Sequence, residues 1–282
     1  MNDGHPAVIG GGQGYKKINE GSVILMKTLG VRRSLLFGSF LLLPLIQFYF
    51  SPYIPIRNAL RGGIAISLFV FGALFLAGMF FGRAPCGWIM PCGGLQEACF
   101  YLNDHPIKVG KKDRLKFWIW SLWLAALLTF LGLNVAKLHL NLFYGIQNGI
   151  SVSQPLYFIP YYGAVLIVFL LCLIFGKRAL CHYGCWIAPF MIIGRKLGNL
   201  LHLPGLRLKA DPQKCTGCGT CTKVCPMGIE VQSKVKTGEM EHTECILCPE
   251  CSQACPTKTL RLAFGGRRSQ GRHYETNRKS NL

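Results

Sequence analysis

Acidic side chains are scarce in this chain of 282 residues: 12 Asp and Glu stand against 31 Lys and Arg, a formal charge of +19. Charged residues of both signs reach only 15%, well short of the roughly 25% of a soluble globular protein. An ordinary water-soluble domain is thereby excluded. No Asp or Glu occurs between Asp113 and Asp211. Ionisable groups inside a membrane mark proton and ion paths, so their absence argues against an ion pump. No flavin or nucleotide motif is present, which argues against a self-contained reductase. No nucleic-acid recognition motif accompanies the positive charge either. The first 20 residues are polar and Gly-rich, without the short apolar core and cleavage site of a signal peptide. The first apolar stretch is therefore expected to be an uncleaved anchor.

What is abundant is apolar sequence, at 51% of residues. Four uncharged stretches reach the ~20 residues needed to cross a bilayer: 34–56, with Pro44 as a kink, then 62–82, 117–136 and 156–176. Buried helices of a soluble protein would show a polar face, and these stretches show none. The expected fold is mainly α: a four-helix transmembrane bundle followed by a C-terminal α+β domain. Basic residues set the orientation. Both terminal segments and the connection between the second and third spans carry 28 of them, and the two remaining connections hold only Arg57, Arg61 and Lys137. Both termini are expected in the cytoplasm, with the chain in the inner (cytoplasmic) membrane and the lipid bilayer as its first partner.

The chain also holds 14 cysteines, more than burial alone supplies. Two runs stand near the C-terminus: Cys215, Cys218, Cys221, Cys225-Pro226 and Cys245, Cys248, Cys251, Cys255-Pro256. Each has spacings of two, two and three residues before a terminal Cys-Pro, the bacterial ferredoxin pattern, in which the fourth cysteine ligates the cluster of the other run. Two [4Fe–4S] clusters follow: one held by Cys215, Cys218, Cys221 and Cys255, the other by Cys245, Cys248, Cys251 and Cys225. A zinc site would show two separated pairs rather than two quadruplets. The domain division is accordingly 1–30 as an N-terminal cytoplasmic segment, 31–204 as the membrane unit, 205–265 as the cluster domain and 266–282 as a disordered basic tail.

The second stretch ends in Phe81-Gly82-Arg83-Ala84-Pro85-Cys86, followed by Met90-Pro91-Cys92; the fourth ends in Phe175-Gly176-Lys177-Arg178-Ala179-Leu180-Cys181-His182, followed by Cys185-Trp186. The echo reads as a tandem duplication of a helical hairpin. Four spans, a cysteine motif after the second and fourth, and a twin-cluster domain together resemble the NapH/MauN-type membrane ferredoxins, related to the membrane module of NosR-like proteins. The resemblance covers about residues 30–265. It implies an electron relay whose donor is membrane quinol and whose recipient is a ferredoxin-type or reductase partner. The family's juxtamembrane pattern is Cys-x-x-x-Cys-Pro. Here Met90 stands at the second cysteine of the first copy and Trp186 replaces the proline of the second.

Three readings of Cys86, Cys181, Cys185 and Cys92 stand open: a further redox centre or metal, a thiol pair for redox or metal handling, or plain packing as small hydrophobes. Cys99 and Cys172 read as packing. A disulfide is disfavoured on a reducing cytoplasmic face. Haem is disfavoured because His139 and His182 fall at opposite membrane faces. The hydrocarbon layer of about 30 Å exceeds one electron hop, so a quinol site is expected in the cytoplasmic half, near Cys86, Trp88, His182 and Trp186. The segment 191–203 reads as a membrane-surface helix or a linker. Two functions compete: a membrane-bound iron–sulfur electron-transfer protein serving the quinone pool, and an assembly factor that reduces or delivers a metal to a partner enzyme.

Overall fold

The computed structural model describes residues 20–146 and 149–266, with side chains from residue 28 onward. Most of the N-terminal segment and nearly all of the basic tail lie outside the described residues. The chain is mostly helical. Helix α1 (Glu20–Leu41) continues after a break into α2 (Leu43–Ile46). The apolar run bends there by 61°, because Pro44 in the first turn of α2 has no N–H to carry the helical ladder on. A short 3-10 turn and α3 (Tyr53–Ala59) follow, so the stretch expected as one span is three pieces.

Strand β1 (Gly63–Ile64) comes before α4 (Ile66–Phe81), which is shorter than the stretch 62–82 because its start is taken up by pairing. The next elements are α5 (Ala84–Trp88), α6 (Pro91–Ala98) and α7 (Leu115–Leu133). Strand β2 (His139–Leu140) pairs in parallel with β1, tying the connection before α4 to the one after α7. Then come α8 (Phe158–Phe175), α9 (Ala179–Tyr183) and α10 (Ala188–Leu200). Among the described residues, 111–133 and 155–175 are long and apolar enough to cross a membrane; the bent pair makes a third span if taken as one, and α4 is a shorter apolar helix of 16 residues. Their outer faces bear large exposed side chains such as Trp118 and Leu122, about three-quarters exposed, as lipid contact requires.

The repeated hairpins interlock. Helix α6 of the first copy packs against α1 and against α8 of the second; α10 of the second packs against α7 and against α4 of the first. Phe71 of α4 stacks on Phe190 of α10 at 5.3 Å. Four residues further along each helix, Gly194 lies against the Phe75 carbonyl with no room for a Cβ. So α10 is an interior helix running alongside α4, with Ala188, Met191 and Ile192 fully buried. It is neither a surface helix nor a linker, because its apolar face is matched to α4 rather than to lipid.

The C-terminal domain starts and ends on an antiparallel ribbon. Strand β3 (Gly205–Ala210) pairs with β4 (Leu260–Gly265) in the register Gly205 to Gly265. Between them lie α11 (Thr220–Lys223), α12 (Val231–Thr237) and α13 (Glu250–Gln253). The core of this domain is continuous with that of the membrane unit: Met227, Val235 and Ile246 belong to the same buried cluster as Phe71, Cys86 and Met191.

Candidate electron-transfer site

The two cysteine runs fold as paired loops that end in α11 and α13. Cys225, Cys245, Cys248 and Cys251 line one small pocket with Met227, Ile229 and Ile246. Cys221 is close enough to Cys215 and Cys255, and Cys218 to Cys255, for each charge to be felt by the next. Cys225 of the first run thus shares a pocket with Cys245, Cys248 and Cys251 of the second, and Cys255 of the second lies near Cys218 and Cys221 of the first. Among the described residues, no three His, Cys, Asp or Glu side chains converge as ligands of a single ion. Zinc needs every sulfur at about 2.3 Å; four thiols spread around an apolar pocket suit a multinuclear iron–sulfur group instead. The sets differ in exposure. Cys225, Cys248 and Cys251 are buried and Cys245 is half-buried, whereas in the other set Cys218 is exposed, Cys215 and Cys255 are half-buried and only Cys221 is buried.

The juxtamembrane cysteines meet at a second site. Cys86, Cys92, Cys181 and Cys185 line one apolar cavity of about 810 Å³, together with Met90 and Trp186. Its volume falls within the usual range for an organic ligand. From the cysteines it extends along α8 to the connections around Tyr53, Tyr144 and Tyr157. Burial pushes the Cys86, Cys92 and Cys185 thiols up, Cys92 to about 12. Arg83 pulls Cys86 part of the way back. Such thiols are neutral and poor nucleophiles at pH 7. Cys86 Sγ lies 4.0 Å from Met191 Sδ, and Gln96 Nε2 lies 3.5 Å from Cys181 Sγ.

Trp88 and His182, expected beside this site, turn away from it. Trp88 Nε1 donates to the Leu247 carbonyl at 3.2 Å, and His182 Nδ1 lies 2.7 Å from Asp113 Oδ1. Burial lowers the His182 pKa despite the Asp113 carboxylate. The carboxylate can only accept, so His182 donates its Nδ1–H to Asp113 Oδ1. His139 is exposed and lies against the Lys137 carbonyl. Cys99 packs with Cys172, Leu95 and Val168 in a small separate core.

A network of buried charge surrounds the cysteine end of the cavity, and sequence reasoning missed it. Arg32 and Arg178 are fully buried, and both donate to Glu97 Oε1. Arg32 also donates to Glu250 Oε1 of α13 at 2.9 Å and, through Nε, to the Gly87 carbonyl at 2.8 Å. Arg83 Nη1 and buried Lys116 Nζ both reach Glu244 Oε2, at 2.6 and 2.5 Å. Burial would raise the Glu244 carboxyl, but Arg83 and Lys116 outweigh it and hold the pKa below the usual range. A signal for this network was present: Glu97 is the only carboxylate between Glu20 and Asp104. An acid so isolated in apolar sequence has a basic partner.

The fold and its paired cysteine loops define an iron–sulfur protein of ferredoxin type, and residues 207–256 match the model of the 4Fe-4S dicluster domain family. MauN of Methylorubrum extorquens, a ferredoxin-type protein of methylamine utilization, is 26% identical over 77% of this chain and 75% of its own length. YccM of Escherichia coli, named for electron transport, is 24% identical over 78% of the chain and 62% of its own. An uncharacterized protein of Methanocaldococcus jannaschii is 25% identical over 64% and 63%. The chain carries a 4Fe-4S dicluster domain and is similar over most of its length to the MauN and YccM ferredoxin-type proteins. It spans under two thirds of the Methanocaldococcus and Escherichia proteins. No solved structure matches it.

Proposed function

We propose that this protein is a four-span carrier in the inner membrane that passes electrons between the quinone pool and a redox partner protein at its cytoplasmic face. The observation that carries the reading is the cavity. It is apolar, ligand-sized and confined by the membrane helices, and its inner end lies against α5, whose other side is the cluster domain. When bound to Cys215, Cys218, Cys221 and Cys255 and to Cys245, Cys248, Cys251 and Cys225, two [4Fe–4S] clusters supply one-electron transfer. A quinol gives up two electrons and two protons on becoming a quinone, so two one-electron carriers match one turnover. The chain's own part is to hold the ring in a dry pocket and to keep the cluster domain seated close by. The absence of carboxylates from α4, α7 and α8 suits a pocket for a neutral, hydrophobic ligand.

The test is anaerobic mixing of the cluster-loaded protein, in lipid nanodiscs, with a short-chain quinol. Bleaching of the iron–sulfur absorbance is expected in the wild type. Val165→Trp, which fills the cavity wall, should slow it at least tenfold without loss of iron. Equal rates in the two proteins would sink the quinone reading.

A second reading rests on the soft donors at the cavity's end, where Cys86, Cys92, Cys181 and Cys185 line the wall and Cys86 lies beside the thioether of Met191. These suit a soft metal ion such as Cu(I), and an assembly factor would use them. Buried Arg83 and Arg178 beside them repel a cation, which favours the first reading. Metal retention that is lost in Cys181→Ser and Cys185→Ser, with the ferredoxin clusters intact, would reverse that preference.

A further inference from the structure

We infer that the segment Cys86-Gly87-Trp88 is the seat that fixes the order of the two cluster sites: the set of Cys225, Cys245, Cys248 and Cys251 is the inner one, held against the cavity wall, and the set of Cys215, Cys218, Cys221 and Cys255 is the outer one, offered to an aqueous partner. The inference rests on the two-cluster reading of the cysteine runs.

One turn of helix separates the cavity from the cluster domain. Cys86 lines the cavity. Gly87, the next residue, is pressed against the loop between Cys245 and Cys248: a Cβ there would lie 2.5 Å from the Ile246 carbonyl oxygen. Trp88 then donates from Nε1 to the carbonyl of Leu247, the next residue of the same loop. Further contacts clamp that loop and its helix to the membrane unit. Arg83 reaches the Thr243 carbonyl at 3.4 Å and the Glu244 carboxylate, and Arg32 bridges Gly87 and Glu250. Each of these contacts falls on residues 243–250, within two positions of Cys245, Cys248 or Cys251. Among the described residues, the Cys215–Cys221 loop has no counterpart to these contacts and bonds within its own domain, as from Gln232 Nε2 to the Gly217 carbonyl at 2.7 Å.

Exposure follows the same division. Ile246 and Leu247 are buried beneath α5, while Thr216, Gly217 and Cys218 are exposed, with Lys214 and Lys223 beside them. Electron transfer falls off steeply with distance, so an electron crossing the cavity wall meets the inner site first. Gly87 is a positioning residue: any side chain there lifts the loop off the wall.

Electron paramagnetic resonance of the cluster-loaded protein tests this without turnover. Cys218→Ser and Cys251→Ser each alter one cluster signal and so assign the two. A water-soluble dysprosium chelate should speed the relaxation of the Cys218-assigned signal at least threefold and leave the other unchanged. Gly87→Ala should change the line shape and midpoint potential of the Cys251-assigned signal alone; if this variant does not assemble, Trp88→Phe carries the same test by removing one hydrogen bond. Faster relaxation of the Cys251-assigned signal, or a Gly87→Ala effect on the Cys218-assigned one, overturns the order. If quinol fails to reduce the wild type, the quinone reading falls, and these measurements still decide the order of the sites.

Discussion

The two hairpin copies end in the same way and then do different things. Both apolar helices stop at a Phe-Gly pair whose glycine takes a positive φ, 55° at Gly82 and 101° at Gly176. Each is followed by a buried arginine, Arg83 or Arg178, three residues before a cysteine that lines the cavity, Cys86 or Cys181. Beyond that point they diverge. Arg83 pairs with Glu244 of the cluster domain, but Arg178 pairs with Glu97 inside the membrane unit. After Cys86 comes Gly87, flat against the cluster domain; after Cys181 comes His182, held by Asp113. A duplicated structural unit has thus become one arm that carries the cluster domain and one that closes the membrane unit. The two arginines report on which arm is which.

Removing their acids should separate the roles. Glu97→Ala leaves Arg178 buried without a carboxylate and Arg32 with Glu250 alone. Breaking such a buried pair costs about 3–5 kcal/mol, and here two guanidiniums lose the same partner. Thermal unfolding in detergent should fall by the largest margin of any change considered, and a shift like that of a surface substitution would refute the closing role of the second arm. Glu244→Gln keeps the shape and a hydrogen-bond acceptor while removing the charge that Arg83 and Lys116 share. A smaller loss, about 2–3 kcal/mol, is expected. Limited proteolysis after β3 should accelerate in this variant and not in Glu97→Ala, because Glu244 belongs to the cluster domain and pairs with Arg83 of the first arm, whereas Glu97 lies outside that domain.

Much of this comparison could be read before any coordinates. The paired Cys-x-x-Cys-x-x-Cys-x-x-x-Cys-Pro runs carry their chemistry in local spacing, and the duplication is visible as repeated Phe-Gly-basic-Cys sequence. The apolar stretches announced helices but not their ends: pairing of Gly63 and Ile64 with His139 and Leu140 shortens α4, and that contact spans 76 positions of sequence. The cavity was legible only as four unassigned cysteines, because Tyr53, Tyr144 and Tyr157 reach it from distant connections. Trp88 and His182 were misplaced beside it for a related reason. Helical periodicity fixes which residues share a turn, not which side of a five-residue helix faces the cavity.

A third change bears on the second arm alone. Burial lowers the pKa of His182 below 6.5, against the pull of Asp113. The unfolded chain therefore binds its proton more readily than the folded one as pH falls through 6.5, and stability that is present above that value is lost below it. His242 is lowered in the same direction, first by burial and then by Lys234, so the wild-type slope between pH 7.5 and 5.5 contains both. The difference between wild type and His182→Asn isolates the second arm. The variant should unfold earlier at pH 7.5 but lose less on acidification, and parallel slopes would show that His182 carries no charge change.

The smallest effect sharpens a place where the copies differ in sulfur chemistry. Met90 occupies in the first arm the position that Cys185 holds in the second, and both line the cavity. Met90→Cys restores the thiol and shortens a buried side chain, at a cost of about 1–2 kcal/mol for the space left behind. If the cavity serves an organic ring, the new thiol has no ligand to share. It should be buried and neutral like its neighbours, iron content should stay that of the wild type, and quinol reduction should change by less than threefold. If the cavity is a degraded metal centre, the same change supplies the missing donor and iron or copper retention should rise in proportion to protein. Metal analysis of one conservative variant thus divides the two uses of the site more cleanly than any deletion, because it adds a ligand without disturbing the arginines that hold the arms apart.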